Sequence, residues 1–354
     1  MAGNRAPTIY DVARRAGVAA STVSRAFSRP GRVAAGTADR IRAAATELGY
    51  RTNPVARATA TGRTSMIALI VTDVTDPATA ELLRGAQEAA GAAGFTTVVS
   101  DAQDDGVPQR EALERALSTV DGAVVAAPHA PDTALRSLVA QRPAVLLDRM
   151  LDGLPSVVPD IADGMRRLMA HLAELGHEMV TYVAGPADAW ADGMRRRGLR
   201  QAGCEYGVQS RRIGPFPATI AGGMTAAGEL LRRPTTAVIA YDDLIAIGLI
   251  RALTARGILV PQEVSVVGFG NVAASALITP GLTTVASPLR AMGALGVHNL
   301  LGLLDGSGSA ATDALPVRLV VRGSTAHRRR NPASAGRGSL IVSGAGSYLP
   351  VATL

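Results

Sequence analysis

The N-terminal part of the fold is decided by residues 8–28, which read TIYDVARRAGVAASTVSRAFS. Thr8 and Asp11 have the spacing of a capping box, so we expect a helix to begin there. The apolar residues that follow share one helical face; they are Ile9, Val12, Ala13 and Ala16. Gly17 suits the left-handed conformation that commonly ends a helix, and residues 21–27 predict a second helix. The segment thus predicts two short helices joined by a tight turn.

Three residues of this segment have the chemistry and spacing of a helix-turn-helix motif. Such a motif needs a small residue where its helices cross, a glycine at the turn and a branched apolar residue under the second helix. Ala13, Gly17 and Val23 meet these requirements. A third helix is predicted after the break at residues 30–31, with Thr37 as its cap. Its buried stripe is Ile41, Ala44, Ala45 and Leu48.

The positive charge of the chain is concentrated in the same region. Residues 1–65 contain eleven arginines and three acidic residues, a net charge of +8. Residues 66–354 contain twenty-five arginines and twenty-six acidic residues, a net charge of −1. A segregated basic block is the electrostatic footprint of phosphate binding. On charge alone, a solvated basic tail is the alternative.

The remaining residues have the length and pattern of an α/β protein. A chain of 354 residues exceeds what one hydrophobic core usually supports, so we expect two or three folded units. From Met66 onwards, short apolar runs alternate with helical stretches, which predicts parallel sheets covered by helices. Ligands of such sheets bind beyond the carboxyl ends of the strands. Because the sequence has no apolar run that could span a membrane and no signal peptide, we expect a cytoplasmic protein.

Few residues suggest catalysis or metal binding. Cys204 is the only cysteine, which excludes an intrachain disulfide and a multi-cysteine zinc site. We expect it to be an ordinary buried thiol. The five histidines have no metal-ligand spacing, and the sequence contains no nucleophile elbow and no glycine-rich phosphate loop. We therefore expect no cofactor, no metal and no enzymatic activity.

Several motifs in register resemble the LacI/GalR family of repressors. In the first 65 residues they are Ile9-Tyr10-Asp11-Val12-Ala13, Gly17-Val18, Thr22-Val23-Ser24-Arg25, Leu48-Gly49-Tyr50, Asn53-Pro54 and Gly62-Arg63-Thr64. Later motifs include Gly176-His177, Asp242-Asp243-Leu244, Val266-Val267-Gly268-Phe269 and Leu282-Thr283-Thr284. The resemblance extends to about residue 325. It implies a sequence-specific transcriptional regulator that binds a pseudo-palindromic DNA operator as a homodimer or a dimer of dimers.

The resemblance also implies a fold class and a domain organisation. The fold is a small all-α helix-turn-helix domain followed by an α/β body of two doubly wound parallel-sheet lobes, similar to type I periplasmic binding proteins. The implied segments are the DNA-binding domain (8–53), a hinge helix and linker (54–65) and the effector-binding and dimerisation body (66–325). We expect residues 1–7 to be disordered, and the composition of residues 326–354 predicts a flexible tail that is first basic and then rich in Gly, Ser and Ala. Lobe 1 comprises about 66–160 and 289–317, and lobe 2 about 161–288 and 318–325.

The resemblance implies that the second helix docks in the major groove. The positions that face base edges in the family are Ala20, Ser21, Arg25 and Arg32. Arg25 can donate two hydrogen bonds to a guanine, the most discriminating side-chain pairing available. Contacts that fix the register on the DNA are implied for Tyr10, Thr22, Ser24, Tyr50 and Asn53.

The hinge is implied to insert apolar side chains into the minor groove through Val55, Ala56, Thr59 and Ala60. Thr59 departs from the family pattern, in which this position is usually leucine. Threonine is a poorer wedge and a weaker helix former. Because an apolar insertion helps to offset the cost of unstacking a base step, we predict weaker DNA kinking and lower operator affinity than is usual in the family.

A small-molecule effector is implied in the cleft between the lobes. The candidate contacts are Asp73, Asp76, Asp148, Arg149, Arg195, Phe216, Asp242 and Ser287. Arg195 would clamp hydroxyls or a carboxylate, and Phe216 would stack on a sugar ring or a base. The family's usual Asn-Pro-Phe-Phe is Asp-Pro-Ala-Thr at residues 76–79, and its usual glutamine is Ser287. A polyol needs several convergent polar groups, so a carbohydrate, another small effector and reduced effector dependence all stay open.

Other classes of protein are weighed against this hypothesis. A solute-binding receptor with the same lobes would need export and would have no basic head. An enzyme would need a catalytic constellation that the sequence lacks. Activation instead of repression stays open, because the sign of regulation depends on the position of the operator. The expected partners are double-stranded DNA, a small effector and a second copy of the chain, with no membrane and a location close to the nucleoid.

Overall fold

The computed structural model describes residues 7–28, 31–50, 62–102, 117–308 and 311–328. Most of the predicted disordered N-terminus and of the predicted tail therefore lies outside the described residues, as does the predicted hinge at 54–61. Among the described residues, no helix has the length and apolarity that a membrane span requires.

The first folded unit is a three-helix head made of α1 (Ile9–Ala16), α2 (Ala20–Ser28) and α3 (Ala35–Leu48). Its core consists of Val12, Ala13, Val23, Ile41, Ala44 and Ala45. The capping box forms as predicted, because the Asp11 carboxylate accepts a hydrogen bond from the Thr8 amide at 2.8 Å. Gly17 ends α1 in the left-handed conformation with φ at 67°, which a residue with a Cβ adopts only under strain.

One predicted helix start in the head is wrong. Thr37 is not a cap, because α3 begins at Ala35 and the N-cap position is Ala34. The Ala34 carbonyl accepts hydrogen bonds from the amides of Thr37 and Ala38 at 2.9 and 3.0 Å. Threonine is a preferred cap in general, but the helix extends to two residues before it, where no side chain caps the free amides.

The body contains two six-stranded sheets. Sheet 1 contains β1 (Met66–Val71), β2 (Thr96–Asp101), β3 (Gly122–Ala126), β4 (Ala144–Leu147), β5 (Ser156–Pro159) and β11 (Thr312–Leu315). Sheet 2 contains β6 (Met179–Val183), β7 (Gln209–Ile213), β8 (Ala237–Ala240), β9 (Ser265–Gly270), β10 (Thr283–Ala286) and β12 (Arg318–Val320). The strand orders are β11-β5-β4-β3-β1-β2 and β12-β10-β9-β8-β6-β7. All pairings are parallel except β10 with β12.

Helices follow the strands and cover the sheets, as parallel strands require. Among the described residues of lobe 1 they are α4 (Pro77–Ala92), α5 (Asp132–Gln141) and α11 (Leu289–Leu304). In lobe 2 they are α6 (Ile161–Glu174), α7 (Trp190–Tyr206), α8 (Ile220–Leu231), α9 (Asp243–Thr254) and the single turn α10 (Ala274–Leu277). The predicted fold class, an all-α head followed by two α/β lobes, is confirmed.

The chain passes between the two sheets three times. It leaves sheet 1 between β5 and α6, returns between β10 and α11, and leaves again between β11 and β12. Each sheet therefore contains strands from both sides of a crossover. Any site between the lobes lies beside these three connections.

The sole cysteine differs from expectation. Cys204 is exposed on α7 instead of being a buried thiol. The buried face of this helix is formed by Ala191, Asp192, Arg195, Gly198, Leu199 and Ala202, and position 204 falls outside that stripe.

Candidate functional site

The surface of α2 presents the residues that the sequence assigns to base contacts. Ser21, Ser24 and Arg25 are exposed, and they share one face because residues three and four apart on a helix are neighbours. Val23, on the opposite face, is fully buried against α1 and α3. Ala20 and Thr22 are half-buried at the edges of the exposed face. The helix therefore has one anchored face and one polar, basic face available to a ligand.

The other residues of the head that are predicted to contact DNA lie before and after α2 in the sequence. Arg32 is exposed in the turn between α2 and α3. Tyr10 is 69% exposed on α1, an unusual position for an aromatic ring that has no ligand. Tyr50 is half-buried after α3 and its ring centroid lies 6.1 Å from that of Phe27. Asn53, Val55, Ala56, Thr59 and Ala60 lie outside the described residues.

Among the described residues of the head, one ion pair links α1 to α3, another lies within α3, and none involves the exposed face of α2. Arg15 on α1 pairs with Glu47 on α3 at 2.8 Å, and Arg42 pairs with Asp39 at 2.6 Å. All four side chains are more than half exposed, so each pair stabilises the head by at most about 1 kcal/mol. The only acidic residues among the first 65 are Asp11, Asp39 and Glu47. Arg25 and Arg32 therefore add to the net positive charge of the head.

The second candidate site lies at the carboxyl ends of the strands. Asp73 follows β1, Asp148 and Arg149 follow β4, Asp242 follows β8 and Ser287 follows β10. Non-glycine residues with positive φ also follow three strands at this edge; they are Ala127 at 44°, Asp148 at 53° and Asn271 at 61°. Such conformations cost about 1–3 kcal/mol each and cluster at binding sites.

Arg195 is the central cation of the cleft. It lies on α7, is 6% exposed, and donates a hydrogen bond from one terminal nitrogen to the Tyr241 carbonyl at 2.5 Å. Its guanidinium lies 4.3 Å from the centre of the Tyr241 ring and 4.1 Å from that of the Phe269 ring. Two cation–π contacts hold the group in one orientation. The Arg195 Nε has no hydrogen-bond partner among the described residues.

Asp76 and Asp242 each cap a helix at the edge of the cleft. Asp76 begins α4 by accepting a hydrogen bond from the Ala78 amide at 3.0 Å. Asp242 begins α9 by accepting one from the Ile245 amide at 2.7 Å. A capping aspartate uses one oxygen for the backbone, so these carboxylates are fixed in place by the helices that they begin.

The carboxylates of the cleft influence one another. Burial raises the pKa of Asp148 to about 6; Arg195 opposes that rise and the Asp76 carboxylate adds to it. Burial likewise raises the pKa of Asp242 to about 7, while the hydrogen bond from Ile245 and the charge of Arg195 lower it. Asp148 Oδ1 has no hydrogen-bond partner among the described residues. Asp76 and Asp148 belong to lobe 1 and Arg195 and Asp242 to lobe 2, so both lobes contribute charged groups to one site.

Of the remaining predicted effector residues, Arg149 and Asp73 already make hydrogen bonds within lobe 1, although the buried Arg149 Nε has no hydrogen-bond partner among the described residues. Arg149 donates hydrogen bonds to the Pro128 carbonyl at 2.7 Å and to Asp132 at 2.6 Å. Phe216 is 9% exposed and belongs to the core of lobe 2. Asp73 is exposed and accepts hydrogen bonds from the amide and hydroxyl of Thr75 at 2.7 and 2.6 Å. Ser287 is half-buried at the crossover into α11.

Sequence reasoning missed several residues of the cleft. Tyr241 and Phe269, which enclose Arg195, were not among the candidates; Tyr241 directly follows β8, and Phe269 is the last residue but one of β9. His129 and Asp188 approach within 3.9 Å and join lobe 1 to lobe 2, with an attraction only when the histidine is protonated. No sequence signal points to that pair, because its residues are 59 positions apart in the chain. Within the described ranges, no group of His, Cys, Asp and Glu could hold a metal ion.

Comparisons with known proteins match both parts of the chain. Residues 8–53 match the model of the bacterial regulatory proteins of the lacI family, and residues 169–325 match that of the periplasmic binding protein-like domain. The HTH-type transcriptional regulator DegA of Bacillus subtilis is 33% identical over 332 residues, which are 90% of this chain and 98% of DegA.

Solved structures agree with this similarity. The lac repressor dimer bound to operator and the anti-inducer ONPF has a TM-score of 0.81 and 28% identity, covering 91% of this chain and 100% of that one. The complex of the transcriptional regulator CelR with cellobiose has a TM-score of 0.68 and 29% identity, covering 90% of this chain and 99% of that one. The similarity therefore extends over the head and both lobes.

Proposed function

This chain belongs to the LacI family of bacterial regulatory proteins and is a DNA-binding transcriptional regulator; from that premise we propose that it represses transcription as a dimer on a pseudo-palindromic operator. The observation that carries the proposal is the exposed face of α2, where Ser21, Ser24 and Arg25 stand opposite the buried Val23. A helix of this kind fits the major groove of B-DNA.

Each exposed residue has a distinct role in this proposal. Arg25 donates two hydrogen bonds to a guanine, while Ala20, Ser21 and Arg32 contact neighbouring base edges. Phosphate contacts that set the register are assigned to Tyr10, Thr22, Ser24, Tyr50 and Asn53. Tyr10 supports this assignment, because its phenol is the largely exposed aromatic group of the head.

The cleft is proposed to bind a small polar effector, with hydroxyl-rich molecules as the first candidates. Asp148 Oδ1 and Arg195 Nε are buried polar atoms without a hydrogen-bond partner among the described residues. Each such atom costs about 1–3 kcal/mol unless a ligand group satisfies it. Asp76 and Asp242 border the same site from two helix starts. The related CelR structure contains cellobiose, which supports carbohydrate as a class to test.

DNA binding is tested by a gel-shift assay with the DNA upstream of the protein's own gene. The wild type should retard this duplex at concentrations where it does not retard an unrelated duplex of equal length. Arg25→Ala should lose about 1–3 kcal/mol of specific binding, while binding to unrelated DNA changes little. Undiminished specific binding by Arg25→Ala would remove this residue from the reading role.

Effector binding is tested by a thermal-shift screen of sugars, nucleosides and small acids on the full chain. A ligand present at 100 times its dissociation constant stabilises the protein by about 2.7 kcal/mol. The shift should disappear in Arg195→Ala and persist in Asp163→Asn, whose carboxylate pairs with the half-exposed Arg166 and Arg167 of α6. A regulator that binds chromosomal DNA would work in the cytoplasm, close to the nucleoid.

A further inference from the structure

The segment Arg63–Ser65 connects the predicted hinge to the first strand of the body. It follows Gly62 and ends where β1 begins at Met66. The segment belongs to no helix or strand. The body nevertheless holds it at two separate points.

The first point is the carboxylate of Asp121, which stands immediately before β3. Asp121 Oδ1 accepts hydrogen bonds from the Thr64 amide at 2.7 Å and from the Thr64 hydroxyl at 2.9 Å. Asp121 Oδ2 accepts a third from the Ser65 amide at 2.8 Å. The Asp121 amide in turn donates to the Met66 carbonyl at 2.8 Å. One buried carboxylate therefore fixes two consecutive residues of the segment.

The backbone of the segment adopts a conformation that needs such support. Ser65 has a φ of 54°, in the left-handed region that residues with a Cβ rarely adopt. Strained backbone of this kind persists only where the surrounding contacts determine it. The bonds from Asp121 to the amides of Thr64 and Ser65 are those contacts.

The second point lies at the end of α11. Arg63 donates hydrogen bonds to the Asp305 carboxylate at 2.8 Å and to the Leu304 carbonyl at 2.5 Å. Leu304 is the last residue of α11, so the guanidinium stands at the negative end of the helix dipole. Both Arg63 and Asp305 are about half exposed or more, so this point is weaker than the one at Asp121.

The helix at the second point, α11, packs closely against α4. Along α11, the Gly293 Cα faces the Leu82 carbonyl of α4 so closely that a Cβ there would collide with it. Gly85 of α4 faces the Arg290 carbonyl of α11 in the same way. The helix also begins at Leu289, two residues after Ser287, at the crossover beside the effector cleft. The segment is therefore attached to a helix whose other end lies at the junction of the two lobes.

We propose that Arg63, Thr64 and Ser65, held by Asp121, Leu304 and Asp305, form a linker clamp that sets which half-site spacing the dimer accepts. Asp121 is its main positioning residue, and Arg63 supports it. The inference rests on the proposed function, since half-site spacing has meaning only for a dimer that reads two half-sites.

The reach of the chain gives the size of the effect. Release of the clamp frees three further residues in each arm, which span up to about 10 Å when extended. One base pair moves a half-site by about 3.4 Å and rotates it by about 35° around the helix axis. While the clamp holds these three residues, their length is not available for reaching the DNA. Once they are released, the head can follow a half-site displaced by one base pair.

The test compares three duplexes that differ only in spacing. The operator selected from random-sequence DNA by the wild-type chain is prepared as such, with one base pair inserted between its half-sites, and with one deleted. We expect wild-type affinity to fall at least about tenfold on the altered duplexes, equivalent to about 1.4 kcal/mol. The measured quantity is the ratio of the affinity for the selected operator to the affinity for an altered duplex. For Asp121→Asn, whose side-chain amide group would face a backbone donor, this ratio should be below about threefold, or 0.7 kcal/mol. Arg63→Gln should give an intermediate ratio.

Controls separate the clamp from general damage. Asp313→Asn changes a lobe 1 carboxylate that accepts a hydrogen bond from Asn299 of α11 at 2.7 Å and has no contact with the segment, so it should keep the wild-type ratio. If Asp121→Asn does not fold, as judged by far-ultraviolet circular dichroism of the whole chain, then Thr64→Val removes one bond to Asp121 and should still lower the ratio. Wild-type ratios in all folded clamp variants, or a wild type indifferent to spacing, would overturn the proposal. Failure to select any operator would instead refute the proposed function.

Discussion

Replacing Asp243 by alanine removes the acceptor of three buried hydrogen bonds in lobe 2. Asp243 is 1% exposed at the first position of α9. Its Oδ2 accepts from the Val272 amide at 2.8 Å and from the Ser275 hydroxyl at 2.7 Å, and its Oδ1 accepts from the Thr284 hydroxyl at 2.6 Å. The carboxylate thereby joins α9 to the loop after β9 and to β10.

The expected loss follows from what each donor can do afterwards. The Val272 amide cannot turn away, and an unsatisfied buried donor costs about 1–3 kcal/mol. The two hydroxyls can rotate, so each contributes about 1 kcal/mol as a lost hydrogen bond. Removing a buried charge returns part of its desolvation penalty. We therefore expect Asp243→Ala to lower the free energy of unfolding by about 3 kcal/mol, a large fraction of a typical 5–15 kcal/mol.

Urea denaturation measures this loss through the fluorescence of Trp190. It is the only tryptophan of the chain and begins α7, so its signal reports on lobe 2. The matched control is Asp163→Ala, which removes a carboxylate paired with Arg166 and Arg167 and should cost less than about 1 kcal/mol. A difference of less than about 0.5 kcal/mol between Asp243→Ala and the wild type would refute the reasoning.

Three further predictions concern the cleft, the head and the hinge. Burial raises the pKa of Asp148 from 3.8 to about 6, so ionisation of this carboxyl destabilises the folded protein as the pH rises. The unfolding midpoint of Asp148→Asn minus that of the wild type should therefore increase between about pH 4 and pH 7. A difference that does not change with pH would contradict this prediction. Ile41→Ala should lower the free energy of unfolding of the small head by about 2–5 kcal/mol. It should abolish operator binding without changing the unfolding transition of lobe 2 that Trp190 fluorescence reports. Thr59→Leu should increase operator affinity and, in a circular-permutation assay, DNA bending. A wild type that already bends its operator strongly would contradict this prediction.

The parts of the protein that the sequence could predict are those with local causes. The capping box of Thr8 and Asp11 and the left-handed Gly17 need only neighbouring residues, and both formed as predicted. The alternation of apolar runs and helices from Met66 likewise depends on local periodicity. These local signals were sufficient for the two short helices and for parallel sheets covered by helices, whereas the base-facing positions of α2 came from the family resemblance.

The parts that escaped prediction depend on contacts between distant residues. Thr37 has the chemistry of a cap, but the helix starts at Ala35. Arg149 follows β4, but its hydrogen bonds to the Pro128 carbonyl and to Asp132 could not be read from the sequence. The enclosure of Arg195 by two rings requires strand ends from β8 and β9 to meet α7 in space. The periodicity of a single sequence does not show which distant residues contact one another.

The central claim is that a dimer of this chain reads DNA through α2. Selection of random-sequence duplexes by the full chain, followed by sequencing, tests that claim most directly. We predict an enriched two-fold symmetric motif with a guanine in each half-site, and a loss of preference at that base pair for Arg25→Ala. An absence of any enriched motif, or an identical motif with Arg25→Ala, would contradict the account.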